Sequence, residues 1–322
     1  MSAAETELVR EVLPKSRAEA QFRRRVGEPR ARLRRPNAVD PFVGTEAVTA
    51  GVVNRYQLAT RYQAVHRNVY VRRGAQLNAV QKARAAWLWS NRRATLVGLS
   101  AAAVHGSRWI DSRLPAELNQ RSQHKTAGIV LRDDTLAPDE IVTVRGLPVS
   151  SAARTAFDLG RRRGLTLAVI RVDALMQATG LQAAEVQLLV NSHRGARGIV
   201  ALRTVIVLAD PGAESPQETR TRLVLTRAGL PPERTQIDVY DSFGYHLGRI
   251  DMGWDTWKVG VEYDGKQHWT DPTVRTRDID RQSDLEAQGW RIIRVSADML
   301  RDRPDTIVAR TRRALRAAGA PV

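Results

Sequence analysis

Alternating apolar and polar positions dominate the last third of the chain and predict a β-sheet there. Val259 and Val261 alternate with Glu262 and Asp264. Residues two positions apart share one side of a strand, so both carboxylates are predicted to point the same way. A hairpin turn at residues 253–256 would bring Asp251 to that side as well. Further strands are predicted at residues 235–240, 249–252 and 290–296.

Helices are predicted before, between and after these strands. Ser215, Pro216 and Glu218 combine an N-cap serine, a proline at the first helical position and an acid at the third. This combination predicts a helix over residues 215–228. Two more helices are predicted at residues 274–288 and 300–317. The order of elements in this block is therefore α-β-β-β-α-β-α.

The segment from residue 41 to 110 predicts shorter helices and one strand. Helices are predicted at residues 45–53 and 54–62, the second capped by Asn54, and a strand at residues 68–73 ends in Arg72 and Arg73. Two short helices followed by a basic β-ribbon is the order of a winged helix-turn-helix. Helices at residues 79–92 and 95–105 complete the segment.

Residues 51–72 and 100–106 of this segment resemble the N-terminal domain of AbiEi-type antitoxins. The resemblance implies that the second helix and the ribbon with Arg72 and Arg73 approach DNA. The alternative is a small helical scaffold that contacts protein alone.

The middle of the chain, residues 111–212, predicts an α/β to α-rich domain. Strands are predicted at residues 128–132 and 141–145, and helices at 151–163, 165–178, 183–193 and 195–208. The arginines at positions 161–163 fit a solvated helix end better than a binding patch. No two histidines have the i, i+4 spacing of a helical metal pair. The middle therefore offers no catalytic constellation.

The net charge of the chain indicates what kind of partner it binds. The 322 residues carry a net charge of +17, which favours binding to nucleic acid through phosphate contacts. Residues 1–40 contain arginine runs broken by prolines and predict a flexible basic arm, either a phosphate-binding tail or a solvated segment without a role. There is no cysteine and no run of about 20 apolar residues, so a cytoplasmic location is expected.

Several short motifs occur in the order of the C-terminal elements. They are Ser215-Pro-Gln-Glu-Thr-Arg220, Arg249-Ile-Asp251, Val261-Glu-Tyr-Asp-Gly265 with His268, Arg277-Asp278, Arg281, Leu285 and Gly289-Trp-Arg-Ile-Ile-Arg294. Together they resemble the PD-(D/E)XK nuclease superfamily and, within it, uncharacterised relatives of very-short-patch-repair (Vsr-like) endonucleases. The resemblance implies a restriction-endonuclease-like core over residues 213–322.

By this resemblance, Asp251 and Glu262 coordinate Mg²⁺ or Mn²⁺, and Glu218 helps to hold a second ion or an ordered water. His268 would act as a general base or proton donor. Such an ion generates hydroxide and neutralises charge on the scissile phosphate. Other interpretations stay open. Glu218 also fits a helix-capping acid, Asp251 and Glu262 fit ion-pair partners of nearby arginines, and His268 fits a surface residue.

One position departs from the superfamily pattern. The third motif places a lysine two residues after the acid, whereas this chain has Asp264 there. Lys266, Arg277 or Arg281 would then supply the positive charge, unless the two arginines form only a helix-surface charge network. Asp264 would be an additional metal ligand or a turn residue. The cysteine-containing zinc site of the repair enzymes is absent, so their mismatch specificity is not expected.

These observations predict a mixed α/β, DNA-binding protein with four parts. They are the basic arm (residues 1–40), a winged-helix-like domain (41–110), an α-rich middle domain (111–212) and a restriction-endonuclease-like domain (213–322). The predicted function is metal-dependent DNA endonuclease. The alternatives are a non-catalytic, antitoxin-like DNA-binding regulator with a degenerate nuclease fold, and an RNA-directed enzyme.

Overall fold

The computed structural model describes residues 40–121, 126–162, 164–265 and 272–322, with side chains from residue 279 onwards in the last range. The predicted basic arm, apart from Asp40, lies outside the described residues, as do Lys266 and His268. Within the described ranges, no helix has the length and apolar character needed to cross a membrane.

The first part of the chain forms a small three-stranded sheet with two short helices. Its elements are β1 (Phe42–Val43), α1 (Gly44–Thr49), α2 (Arg55–Arg61), β2 (Tyr62–His66) and β3 (Val69–Arg72). The strand order is β1-β3-β2, and both pairings are antiparallel. Asn54 caps α2 as predicted, because its side chain accepts the Gln57 N–H at 2.7 Å. Strand β2 was not predicted, since its first residue continues the apolar spacing of α2.

A five-stranded sheet follows. Its elements are α3 (Ala79–Trp89), β4 (Thr95–Leu96), α4 (Gly98–Val104), β5 (Ala116–Asn119), β6 (Ile129–Arg132), β7 (Ile141–Val144) and β8 (Leu147–Ser150). The strand order is β6-β5-β4-β8-β7. Strand β4 lies in a segment predicted to be helical, and it pairs with β5 and β8 beyond residue 110. The domain division at residue 110 stays a prediction, although this sheet spans it.

The predicted helices of the middle are all present. They are α5 (Ala152–Gly160), α6 (Leu165–Thr179), α7 (Ala183–Ser192) and α8 (Ile199–Leu208). Their core includes Phe157, Leu175 and Leu202, and Leu223 of the next helix joins it. Buried Asp173 of α6 ties that next helix further, because it accepts hydrogen bonds from Thr219 at 2.9 Å and Arg222 at 2.7 Å.

The C-terminal block shows the predicted order of elements. It contains α9 (Pro216–Arg227), β9 (Arg234–Tyr240), β10 (His246–Trp254), β11 (Val259–Asp264), α10 (Pro272–Ala287), β12 (Arg291–Ser296), α11 (Ala297–Asp302) and α12 (Pro304–Ala317). The strand order is β12-β11-β10-β9, with β12 parallel to β11 and the other pairs antiparallel. The single helix predicted at residues 300–317 was wrong: Pro304 starts a separate helix at its first position, where proline is tolerated.

Two apolar clusters hold this sheet between its helices. One packs strand residues such as Met252, Val261 and Val295 against α9, α11 and α12. The other packs Ile250 together with Leu285 of α10. The mixed α/β class predicted from the sequence is therefore confirmed, and helices α9 and α10 both reach the centre of the C-terminal sheet.

Candidate active site

Asp251 lies where strands β10 and β11 stop pairing. Their pairing runs from Trp254–Val259 to Met252–Val261. Immediately beyond it, the backbone N–H of Tyr263 donates to Asp251 Oδ2 at 2.7 Å. The carboxylate thus satisfies an amide that the neighbouring strand no longer satisfies. This bond also fixes the orientation of the carboxylate at the centre of the sheet.

Glu262 is held by an arginine from helix α10. The residue is 8% exposed, and Arg281 donates to both of its carboxylate oxygens, at 2.9 Å to Oε1 and 2.7 Å to Oε2. Gly248 makes room for this arginine, because a Cβ there would lie 3.0 Å from Arg281 Cδ. The ion pair that was one interpretation of Glu262 is therefore present, in the bidentate form that arginine favours.

Glu218 lies in the first turn of α9. The Ser215 hydroxyl accepts its backbone N–H at 3.2 Å, as the capping motif predicted. The Glu218 carboxylate differs from that motif, because it accepts the N–H of Glu214 at 2.8 Å and the side-chain amide of Gln236 at 3.0 Å. Burial raises the pKa of Glu218, and the charge of Glu214 adds to that effect. Gln236 was missed by the sequence interpretation, since β9 reaches α9 only through the fold.

The electrostatic centre of the site is Asp251. Burial, followed by the negative charge of Glu218, raises its pKa to about 7, and Glu262 contributes in the same direction. The Tyr263 N–H and Arg281 oppose this rise without cancelling it. Part of this rise comes from the neighbouring acids, and a cation bound among them would relieve their repulsion.

Asp264 takes a different partner. Its Oδ2 lies 3.7 Å from Nη1 of Arg294 in the neighbouring strand β12. Arg294 belongs to the motif at residues 289–294, but the sequence assigns it no role. The parallel register of β11 and β12 places it opposite Glu262, and spacing along the chain does not reveal this register.

The remaining predicted residues are Lys266, His268, Arg277, Arg72 and Arg73. Lys266 and His268 fall outside the described residues, and for Arg277 the structure describes only the backbone within α10. Arg72 is exposed at the end of β3. Arg73 donates to backbone carbonyls at the end of α2, Ala59 at 2.9 Å and Tyr62 at 3.3 Å. Contact with nucleic acid at any of these positions stays a prediction.

Asp251 and Glu262 are the residues of this acidic group that could hold a metal ion. Among the described residues, no three His, Cys, Asp or Glu side chains already converge around one ion position. Asp251 and Glu262 nevertheless offer hard oxygen ligands of the kind that Mg²⁺ prefers. Burial, together with the charges of Glu218 and Glu262, raises the pKa of Asp251, and a bound cation would oppose that rise. These residues fit a divalent cation, provided that Arg281 shares the Glu262 carboxylate with it.

Comparison with known proteins supports the nuclease-like character of this block. Residues 233–315 match REase_MTES_1575, a restriction-endonuclease-like family. The matched range contains Asp251, Glu262 and Asp264, whereas Glu218 lies before it. The C-terminal block is thus similar to restriction endonucleases.

The chain is also similar to two Mycobacterium tuberculosis proteins, the uncharacterized protein Rv2248 of strain H37Rv and the uncharacterized protein MT2308 of strain CDC 1551. Each is 31% identical over 172 residues, which is 53% of this chain and 63% of the relative. The match therefore spans less than two thirds of the length of these relatives.

Proposed function

We propose that this protein is a divalent-metal-dependent endonuclease that hydrolyses phosphodiester bonds of DNA. Its active site would be formed by Asp251 and Glu262. The supporting observation is the cluster of Asp251, Glu218 and Glu262, in which burial, and after it the charge of the neighbouring acids, raises the pKa of Asp251 to about 7. Crowded, buried carboxylates are costly unless a cation neutralises them. The likeness of residues 233–315 to a restriction-endonuclease-like family makes phosphodiester cleavage the chemistry that such a cation would serve.

Each residue has a distinct part in this proposal. Asp251 and Glu262 would hold Mg²⁺ or Mn²⁺, with Asp251 oriented by the Tyr263 N–H. When bound, the ion supplies an activated water and neutralises charge on the phosphate. Glu218, hydrogen-bonded to Gln236, would order a water beside the ion. Arg281 would supply the positive charge that the superfamily lysine supplies, because Asp264 occupies the place of that lysine.

The N-terminal part would position the DNA. Two short helices followed by the antiparallel hairpin β2–β3 support a winged-helix assignment, and Arg72 is exposed at the end of that hairpin. Likeness to AbiEi-type antitoxins belongs to this proposal, as does likeness to very-short-patch-repair endonucleases for the C-terminal block. A cytoplasmic location accords with a DNA substrate.

The test is nicking of supercoiled plasmid in Mg²⁺ or Mn²⁺. We expect Asp251→Asn and Glu262→Gln to lower the rate by about 100-fold or more, because each removes a metal ligand. Asp255→Asn is the matched control, since that side chain pairs with Arg234 at 2.6 Å and has no part in the site. Equal nicking by the wild type and both site variants would refute the assignment.

A second candidate function is a non-catalytic DNA-binding regulator with a degenerate nuclease fold. It is favoured by Asp264, which stands in the place of the lysine and pairs with Arg294, and by the Arg281 pair that already neutralises Glu262. This candidate predicts tight, salt-sensitive DNA binding without cleavage. Binding that is unchanged by Asp251→Asn and Glu262→Gln would support it.

A further inference from the structure

A basic groove lies beside the candidate site, between α10, strand β12 and α12. Strand β12 is the edge of the C-terminal sheet, so this groove opens along a sheet margin. Its volume is about 420 Å³. The lining residues are Gln282, Arg291, Ile292, Ile293, Arg294, Arg310, Arg313 and Ala314. Half of them are arginines and none is acidic, so the groove is strongly positive.

Most of these arginines lack an acidic partner. Arg310 and Arg313 are exposed, lie three positions apart on α12 and therefore share one side of that helix. Within the part of the chain that the structure describes, Arg291, Arg310 and Arg313 make no ion pair with a carboxylate. By contrast, Arg301 just before α12 pairs with Asp298 at 3.0 Å and Asp302 at 2.8 Å. Arg291, Arg310 and Arg313 are therefore available to an external anion.

The groove and the acidic site are connected through two elements. Arg294 lines the groove and lies 3.7 Å from Asp264, and its strand register places it opposite Glu262. On α10, Gln282 lines the groove while the preceding residue, Arg281, holds Glu262. An extended polyanion lying in the groove would therefore reach the margin of the acidic site.

We propose that this groove binds the phosphodiester backbone of nucleic acid next to the bond to be cleaved. Arginine suits this role, because its planar guanidinium donates two parallel hydrogen bonds to phosphate oxygens. The position of the groove relative to the cleaved bond rests on the proposed function. Binding itself does not require cleavage, so the two ideas can fail separately.

The test measures binding in the full-length chain with Asp251→Asn, in chelator and without metal. Fluorescence anisotropy would follow a labelled duplex and a single strand of the same sequence between 50 and 200 mM salt. Arg310→Gln with Arg313→Gln should weaken binding by about 10-fold or more and reduce the slope of log affinity against log salt by about 2, because two phosphate contacts are lost. The arm that loses more affinity identifies whether duplex or single-stranded DNA presents the phosphates.

The matched control is Arg301→Gln with Arg303→Gln, which removes the same charge outside the groove. It should leave the salt slope close to that of the parent protein. Equal slopes in the two double variants would overturn the proposal. It would also be overturned if polyglutamate displaced DNA from the parent protein as well as unlabelled DNA does, since an acidic polypeptide would then be the better ligand.

The two ideas are separated by combining this result with plasmid nicking. If the wild type nicks DNA and the groove variant binds normally, the groove proposal fails and the proposed function stands. If the groove variant loses binding while the wild type never cleaves, the groove stands and the nuclease proposal fails.

Discussion

Two buried carboxylates, Glu117 in the middle of the chain and Asp251 in the C-terminal sheet, respond to their surroundings in opposite directions. Burial acts to raise the pKa of both groups. At Glu117 the Arg162 guanidinium and the Leu99 N–H outweigh burial and leave the pKa lowered. At Asp251 burial, with the added charge of the acidic neighbours, raises the pKa to about 7.

The difference separates structural acids from candidate catalytic ones. Elsewhere in the middle, Arg154 lies between Glu140 at 2.8 Å and Asp158 at 3.2 Å, and all three side chains are buried. There the fold supplies the cations that its buried acids need. Around Asp251 the fold supplies fewer positive charges than negative ones. An uncompensated acid of this kind marks a place where an external cation is expected to bind.

The largest expected effect on stability concerns Arg154, the cation that two buried acids share. Arg154→Met leaves Glu140 and Asp158 buried without their shared cation, and should lower the free energy of unfolding by about 3 to 5 kcal/mol. Urea denaturation would measure this loss. Arg301→Met is the control, because an exposed ion pair contributes little to stability. A loss of the same small size in both variants would contradict the structural role of Arg154.

At Asp251 we expect a substitution that removes the charge to increase stability. Asp251→Asn keeps an oxygen for the Tyr263 N–H and removes the unfavourable charge, so it should raise the free energy of unfolding at pH 8 by about 2 kcal/mol. The folded pKa of about 7 lies above the ordinary value of 3.8. The free energy of unfolding of the wild type therefore falls as pH rises from about 4 to 7. The gain in stability of Asp251→Asn over the wild type should grow across the same range.

Glu117→Gln provides the opposite control. The folded pKa of Glu117 lies below its ordinary value of 4.5. Its charge therefore stabilises the protein above that pH, and the contribution is lost as pH falls through the lower folded pKa. Glu117→Gln should destabilise the protein at pH 8. If both substitutions shifted stability in the same direction, the contrast between the two acids would be wrong.

A smaller effect is expected from Gly248→Ala. The new Cβ would lie 3.0 Å from Arg281 Cδ and displace the arginine that holds Glu262. We expect a loss of about 1 kcal/mol in stability, because the arginine can partly move aside. Gly195→Ala is the control, since no atom lies within 4 Å of the Cβ it would add. Unfolding curves that do not distinguish the two variants would mean that Arg281 is not held as described.

The parts of the fold that depend on local chemistry were predicted from the sequence. Asn54 and Ser215 begin helices through side-chain caps that involve residues three positions away, and both caps are present. The order of elements in the C-terminal block followed from apolar spacing. Strands β4 and β8 were missed, because they pair with each other across about fifty residues and neither shows a period of two on its own.

For the candidate site, the sequence named Asp251, Glu218 and Glu262 and offered Arg281 as an ion-pair partner of Glu262, but it did not offer Arg294 as a partner of Asp264. The charges of Glu218 and Glu262 act on Asp251, and the catalytic roles of all three acids stay predictions. The parallel pairing of β11 with β12 places Arg294 beside Asp264, and α10 places Arg281 on Glu262. Each of these contacts joins residues on different elements, so its geometry is set by packing and not by spacing along the chain.

The most direct test of a cation site at Asp251 is to measure Mn²⁺ binding at pH 8 by calorimetry and by electron paramagnetic resonance. We predict one site in the wild type, weakened about 100-fold or lost in Asp251→Asn and Glu262→Gln, and retained in Asp255→Asn. Below about pH 7 the affinity should fall, because Asp251 must release its proton to bind the ion. Equal Mn²⁺ binding by the wild type and Asp251→Asn would contradict the assignment of this acidic group as a metal site.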